Sequence, residues 1–162
     1  PVIDNDGWEH TDITDICAIH DYTPSGEKLS SRYKETLSGG QLPAKVWIPD
    51  KPLFARGSRY RGQPIVLSEV GGFLAIPPDI PPEKRDLLYR FYDSFKRTEE
   101  LLEKYRDLMK GIASLDFLAG FCYTQLTDIE QEINGLLTYD RKPKVDPEAI
   151  AAIHAELFRK FS

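Results

Sequence analysis

The sequence predicts an α/β protein in which about four strands of a parallel sheet alternate with helices. Three observations support this fold class. Near-continuous apolar runs recur along the 162-residue chain, and such runs are typical of strands that are covered on both faces in a parallel sheet. Stretches with helical periodicity lie between the runs, which is the pattern of βα units. Each run ends in polar and aromatic side chains, where folds of this class carry their functional groups.

Four segments are predicted to form the strands, at residues 1–3, 15–19, 64–69 and 117–123. The first is followed by turn-forming residues 4–7, and the third by Gly71-Gly72. Residues 41–63 and 74–98 have several prolines and no clear period, so they are predicted to be long loops. Because one domain accounts for all of these segments, we expect residues 1–162 to form a single unit.

Three helices are predicted from apolar residues that recur every three or four positions. The first begins near Ser25 and ends at Gly39-Gly40, and the last has Asp146 as its N-cap and Pro147 as its first residue. The apolar stripes are Leu29, Tyr33 and Leu37 in the first helix, Leu101, Leu102, Tyr105, Leu108, Met109 and Ile112 in the second, and Ile150, Ile153, Leu157 and Phe161 in the last.

Charge and composition restrict the class of partner. Acidic residues outnumber basic ones by 26 to 21, and the net charge of −5 argues against nucleic acid or an anionic membrane surface as the partner. No apolar stretch approaches the length of a membrane span. The chain opens with Pro-Val-Ile and shows no signal-peptide pattern, so the compartment stays open.

Cysteine and histidine spacing predicts neither a metal site nor a cofactor. Cys17 and Cys122 lie in apolar runs and are predicted to be buried thiols, and no CxxC or HExxH pattern occurs. The acidic run Asp128, Glu130 and Glu132 lacks the spacing of a calcium-binding loop, which favours a solvated loop.

Carboxylates and aromatic residues at the predicted strand ends suggest a carbohydrate site. Sugar faces stack on aromatic rings, and carboxylates act as nucleophile, acid or hydroxyl acceptor. Glu69 is the strongest catalytic candidate, because it ends an apolar strand and is followed by glycines that admit a substrate. The alternative is a carboxylate that caps the following turn. For His20 and Asp21 the alternative is a mutual hydrogen bond, and for Trp8 and Tyr123 it is core packing.

Four segments together resemble the catalytic barrel of family 2 glycoside hydrolases, which include β-galactosidases, β-glucuronidases and β-mannosidases. Residues 5–11 (Asn-Asp-Gly-Trp-Glu-His-Thr) and 15–22 are similar to the ends of the fifth and sixth strands of that barrel. Residues 64–72 (Pro-Ile-Val-Leu-Ser-Glu-Val-Gly-Gly) are similar to the seventh strand, and residues 120–137 to the eighth strand and its loop. The resemblance implies that the chain is the C-terminal half of a (β/α)8 barrel.

The resemblance also implies a retaining mechanism and assigns roles to individual residues. Glu69 is then the nucleophile, and Tyr22 holds its carboxylate ionised and oriented. The residues implied to line the sugar pocket are Trp8, Glu9, His20, Asp21 and Tyr123. The family's second carboxyl lies in an Asn-Glu pair, and no Asn-Glu occurs in this chain. Residues 74–98 also lack the Trp-Gly-Tyr-Gly pattern of many relatives.

Two functions follow from this reading. In the first, the chain is the nucleophile-bearing fragment of a retaining β-glycosidase, and its open sheet edges associate with a complementary N-terminal half-barrel or with a second copy. In the second, it is a non-catalytic carbohydrate-binding or scaffold half-barrel that lacks the acid/base glutamate. The sequence names neither the sugar nor its linkage.

Overall fold

The computed structural model describes residues 1–38, 42–44, 51–76, 81, 94–95 and 98–159, and these form an α/β fold. In chain order the elements are β1 (Cys17–Asp21), α1 (Gly26–Ser38), β2 (Ile65–Gly71), β3 (Leu74–Ala75), β4 (Ser94–Phe95), α2 (Thr98–Ala113), β5 (Leu118–Thr124) and α3 (Pro147–Leu157). A three-stranded parallel sheet has the order β1-β2-β5, and β3 pairs with β4 in a second, short parallel sheet. This architecture is compatible with part of a barrel.

The core lies between the three-stranded sheet and the helices. The sheet contributes side chains such as Ile19 and Leu67, and the helices contribute Tyr33 and Met109, all of which are fully buried. β2 is the central strand, so it is hydrogen-bonded on both edges, to β1 and to β5. This central position brings the carboxyl end of β2 between the ends of its two neighbours.

Helices α1 and α2 meet through two glycines. A Cβ on Gly26 would lie 2.0 Å from the carbonyl oxygen of Asp107, and a Cβ on Gly111 would lie 2.3 Å from the carbonyl oxygen of Gly26. The Asp107 carboxylate accepts a hydrogen bond of 2.9 Å from the Gly26 amide, which satisfies a free donor at the start of α1. The absent side chains therefore allow the two backbones to touch.

The predicted helices are confirmed over their described residues. Asp146 caps α3, since its carboxylate accepts a 3.0 Å hydrogen bond from the Glu148 amide, and Pro147 opens the helix. Ile153 of the predicted stripe is fully buried. The predicted stop at Gly39-Gly40 and the last stripe residue, Phe161, lie outside the described residues.

The predicted first strand, residues 1–3, is not a strand. Val2 exchanges two hydrogen bonds with Asp15, of 2.7 Å and 2.8 Å, but one of them goes to the Asp15 side chain, so no ladder forms. Val2 and Ile3 are about half exposed. The described residues thus contain three strands of the main sheet, and the predicted count of four βα units is not confirmed.

The edge position of β5 corrects one further expectation. Cys17 of β1 is buried as predicted, whereas Cys122 of β5 is exposed. Among the described residues β5 pairs with β2 alone, and every residue of this strand keeps partial contact with solvent. Among the described residues, none of the helices is both long and apolar enough to cross a membrane.

Candidate functional site

The carboxyl ends of β1 and β2 bring a glutamate, a tyrosine and a histidine together. His20 of β1 lies opposite Glu69 of β2 in the parallel register. The Tyr22 hydroxyl donates a hydrogen bond to Glu69 Oε2, and His20 Nδ1 lies 3.3 Å from the same oxygen. The Glu69 side chain is 37% exposed, so its carboxylate is held from two sides and still faces solvent.

The segment before β1 adds a second carboxylate to this cluster. Asp6 Oδ2 lies 3.3 Å from His20 Nε2, and Asp6 Oδ1 accepts a 2.5 Å hydrogen bond from the Ser68 hydroxyl. One ligand atom each of Asp6, His20 and Glu69 lies within 4.8 Å of the other two. Sequence reasoning placed Asp6 at a strand end but did not select it, because its partners are distant in sequence.

Trp8 and Gly7 fix the position of the His20 ring. The Trp8 and His20 rings meet edge to face, with centroids 5.0 Å apart and planes at 77°. Gly7 has a φ of 93°, and a Cβ at this position would lie 2.6 Å from His20 Cγ. Any larger residue would therefore be strained and would displace the imidazole.

The segment that carries Asp6 and Trp8 is fastened to the sheet by a buried histidine. His10 has no exposed surface, and its two ring nitrogens face the Asp4 carboxylate at 2.8 Å and the Ala18 carbonyl at 2.7 Å. Burial by itself raises the pKa of Asp4, but hydrogen bonds from Thr11, His10 and Thr14 outweigh it and lower the pKa well below its usual range. The ionised Asp4 thus stabilises the turn.

Asp21 does not join the cluster, although it was predicted to line the pocket. Its carboxylate is fully buried and accepts hydrogen bonds from the amide and hydroxyl of Thr23 at 3.0 Å and 2.6 Å. It also accepts from Arg32 at 2.8 Å and from the Tyr33 hydroxyl at 3.0 Å. Successive strand residues point to opposite faces, so Asp21 binds α1 while His20 turns towards Glu69. The alternative considered for His20 and Asp21, a mutual hydrogen bond, is likewise not found among the hydrogen bonds of the described residues.

Glu9 and Tyr123 also make contacts away from the Glu69 carboxylate. Glu9 forms an ion pair of 3.0 Å with Lys51 at the protein surface. The Tyr123 ring packs against Tyr105, with centroids 5.0 Å apart, and against Phe73 at 6.3 Å. Burial raises the pKa of Tyr123 well above its usual range. Of the residues predicted to bind sugar, Trp8 and His20 are therefore the two whose contacts reach the cluster around Glu69.

The loop that follows β5 has a structural role at Asp128. This carboxylate is nearly buried and accepts hydrogen bonds from Lys144 Nζ at 2.5 Å and from the Gly135 amide at 2.8 Å. Burial lowers the pKa of Lys144, and the contact with Asp128 opposes that shift. The expected solvated loop is thus wrong for Asp128, whereas Glu130 is exposed.

The cluster has the chemistry of a held, solvent-facing carboxylate. The Tyr22 phenol donates to Glu69 and so orients a carboxylate that can act as a nucleophile or a metal ligand. Asp6 is the second carboxylate of the cluster, within 4.8 Å of Glu69. In retaining glycosidases the two carboxyls are roughly 5–5.5 Å apart with room for the sugar between them, whereas here the His20 ring lies against both acids.

Comparison with known proteins gives a likeness in fold. No family model matches the chain. No curated protein sequence matches it. One solved structure that matches is described as "Structure of PfGH50B", a glycoside hydrolase, with a TM-score of 0.55 and 13% sequence identity. The match covers 91% of this chain and 18% of that chain, so this chain spans less than a fifth of its length. The chain therefore has a fold similar to part of a glycoside hydrolase, and membership of family 2 stays a prediction.

Proposed function

We propose that the chain is the nucleophile-bearing part of a retaining β-glycosidase, with Glu69 as the nucleophile. The observation that carries this proposal is the Glu69 carboxylate at the end of the central strand, where Tyr22 donates to it and His20 lies beside it. The likeness in fold to a glycoside hydrolase supports the same class of reaction. An oriented and accessible carboxylate is what attack on an anomeric carbon requires.

The proposed reaction divides between this chain and a partner. Glu69 Oε1 or Oε2 forms a bond to the anomeric carbon as the bond to the leaving oxygen breaks, and a general acid protonates that oxygen. Water then releases the sugar from the glycosyl-enzyme with the same group acting as base. Tyr22 keeps its hydrogen bond to Glu69 in the free enzyme, and Trp8 and His20 offer contacts to the sugar beside it.

The general acid is proposed to come from a complementary half-barrel, because the chain has no Asn-Glu pair. Among the described residues the outer edge of β5 has no partner strand, which supports this proposal, since such an edge can accept another strand. An apolar hollow of about 350 Å³ lies beside that edge, lined by Ile112, Leu115, Leu118, Ala119, Gly120, Phe121 and Phe158. A strand followed by an amphipathic helix would cover both features.

A fluorinated sugar tests the nucleophile without the general acid. In a 2-deoxy-2-fluoro-β-glycosyl fluoride the leaving group is fluoride, which departs without protonation, so the glycosyl-enzyme should accumulate on the isolated chain. We expect a mass increase of one fluorosugar on the peptide that contains Glu69, with either the galactosyl or the glucosyl reagent. Glu69→Gln should abolish the label, and the control Glu103→Gln, at an exposed position of α2, should keep it.

Absence of the label from every β-glycosyl fluoride tried, in a chain that is folded by circular dichroism, would favour the alternative function. That alternative is a non-catalytic carbohydrate-binding or scaffold protein, and the missing Asn-Glu pair is the observation in its favour. It predicts quenching of Trp8 fluorescence by a sugar, read in a Trp47→Phe background, with no release of an aryl group from an aryl β-glycoside. Turnover of the aryl glycoside by the chain alone, lost in Glu69→Gln, would refute the alternative.

A further inference from the structure

We propose that Asp6, His20 and Glu69 bind one divalent transition-metal ion, with Zn²⁺ as the best-matched ion. The three side chains come from the segment before β1, from β1 and from β2, and each offers a ligand atom within 4.8 Å of the other two. The site goes beyond the proposed glycosidase function, because it uses Glu69 as a carboxylate and needs no sugar chemistry.

The geometry of His20 is the first argument for this site. His20 Nε2 is buried and has no hydrogen-bond partner in the described structure, although Asp6 Oδ2 lies only 3.3 Å away. Zn²⁺ binds imidazole nitrogen and carboxylate oxygen at about 2.0–2.2 Å in a tetrahedral arrangement, so neighbouring ligand atoms lie roughly 3.3–3.5 Å apart. The separation of these two atoms therefore matches two ligands of one ion.

The groups around the three ligands provide the second argument. The Ser68 hydroxyl donates to Asp6, the Tyr22 hydroxyl donates to Glu69, and the Trp8 ring packs on the His20 imidazole. Such outer contacts orient metal ligands and typically change metal affinity by about 10–100-fold when they are removed. Asp6 and His20 are thus already in place for an ion at Nε2, whereas Glu69 lies 3.3 Å from Nδ1 and has to turn its solvent-facing carboxylate to become the third ligand.

The donor set selects the class of ion. One imidazole nitrogen with two carboxylate oxygens suits Zn²⁺ and related transition metals better than Ca²⁺ or Mg²⁺, which prefer oxygen alone. Two carboxylates balance the charge of a divalent ion. Asp6 is 58% exposed and Glu69 is 37% exposed, so an ion can enter from solvent and keep water as a fourth ligand.

A bound ion would occupy the carboxylate that the proposed reaction uses. Metal binding and labelling of Glu69 by a fluorosugar should therefore exclude each other. The two proposals fail separately. Zinc binding without any fluorosugar label overturns the nucleophile and leaves the metal site intact, whereas labelling without zinc binding does the reverse.

Calorimetric titration with ZnCl₂ tests the site directly. The titration uses a Cys122→Ser background, because the exposed thiol is itself a zinc ligand. We expect one saturable site, at least tenfold weaker binding in Asp6→Asn, and loss of measurable binding in His20→Gln. The matched control is Asp12→Asn, whose side chain is 53% exposed, and it should bind as the parent does.

Fluorescence gives a second reading that depends on where the ion binds. In a Trp47→Phe background Trp8 is the remaining tryptophan of the sequence, and its ring lies 5.0 Å from that of His20. Co²⁺ should quench Trp8 fluorescence in the parent, and Asp6→Asn should require at least tenfold more metal. The proposal is overturned if folded Asp6→Asn binds Zn²⁺ and responds to Co²⁺ as the parent does, or if the parent binds neither ion.

Discussion

Replacement of Asp21 by asparagine should destabilise the protein, because this carboxylate joins β1 to α1 from inside the core. Asp21 is fully buried and accepts four hydrogen bonds, two from Thr23, one from Arg32 and one from Tyr33. Asn has nearly the same shape, so Asp21→Asn changes charge and hydrogen bonding while packing stays the same. The variant therefore isolates the electrostatic contribution of one side chain.

The expected loss of stability is about 3 kcal/mol. In the native protein both hydrogen bonds from Thr23 go to Asp21 Oδ1, and the asparagine oxygen can still accept both of them. The amide group then replaces Oδ2 and faces the guanidinium of Arg32 and the hydroxyl of Tyr33. A hydrogen bond to a charged group contributes about 1.5–3 kcal/mol and a neutral one about 1 kcal/mol. Arg32 is 32% exposed, so water can hydrate it, and the loss stays near the lower end of the roughly 3–5 kcal/mol for a broken buried pair.

Urea unfolding followed by far-ultraviolet circular dichroism measures this loss. With a slope of about 2 kcal/mol per molar urea, a loss of about 3 kcal/mol lowers the midpoint by roughly 1.5 M. Tyr33→Phe removes one hydrogen bond to the same charged acid and should lower stability by about 1.5–3 kcal/mol. A midpoint for Asp21→Asn within 0.3 M of the surface control Asp12→Asn, roughly 0.6 kcal/mol by the same slope, would refute the assignment of Asp21 to the core.

Three further outcomes test other parts of the structure. The folded protein holds the pKa of Asp4 below its usual range. The stability that this acid contributes is therefore present above about pH 4, its pKa in the unfolded chain, and is lost as the pH falls below that value. Asp4→Asn should make the stability depend less on pH in this acid range, measured by Trp8 fluorescence in a Trp47→Phe background. Gly71→Ala should lower the free energy of unfolding by at least about 2 kcal/mol more than Gly62→Ala does. Both glycines have φ near 90°, but of the two only Gly71 would place a Cβ against a ring, 2.2 Å from Tyr123 Cε2. Equal losses of stability in the two variants would contradict this close contact. If the chain associates through the β5 edge, Ala119→Lys should lower the mass measured by sedimentation at high protein concentration. Ala152→Lys, on the exposed face of α3, should leave that mass unchanged. A parent protein that stays monomeric at every concentration would argue against association.

Local chemistry is sufficient to predict the helices and the three main strands. Asp146 followed by Pro147 starts α3 because the cap and the fixed proline φ act within one turn of the chain. The apolar run that becomes β2 is readable in the same way, since a strand covered on both faces has few polar residues. Glu69 could be selected because it is the charged residue at the end of that run.

Residues 1–3 show where the local pattern fails. Three apolar residues before a turn resemble a short strand, but a strand exists only when a neighbouring strand supplies its hydrogen bonds. Val2 instead bonds to Asp15 through one side-chain and one main-chain contact. Cys122 fails for a related reason, because what covers a strand is set by elements distant in sequence: β1 and β5 are both edge strands among the described residues, yet Cys17 is buried and Cys122 is exposed.

The sequence by itself determined which segments form helices and strands and that a carboxylate ends the central strand. Only the tertiary structure decided which side chains meet that carboxylate. His20 and Asp21 are adjacent, yet one faces Glu69 and the other faces α1, because alternate residues of a strand point to opposite faces and the position of α1 selects between them. The hydrogen bond that Asp6 accepts from Ser68 joins residues 62 positions apart in the sequence. Contacts at that separation arise from tertiary packing, and a local sequence pattern cannot predict them.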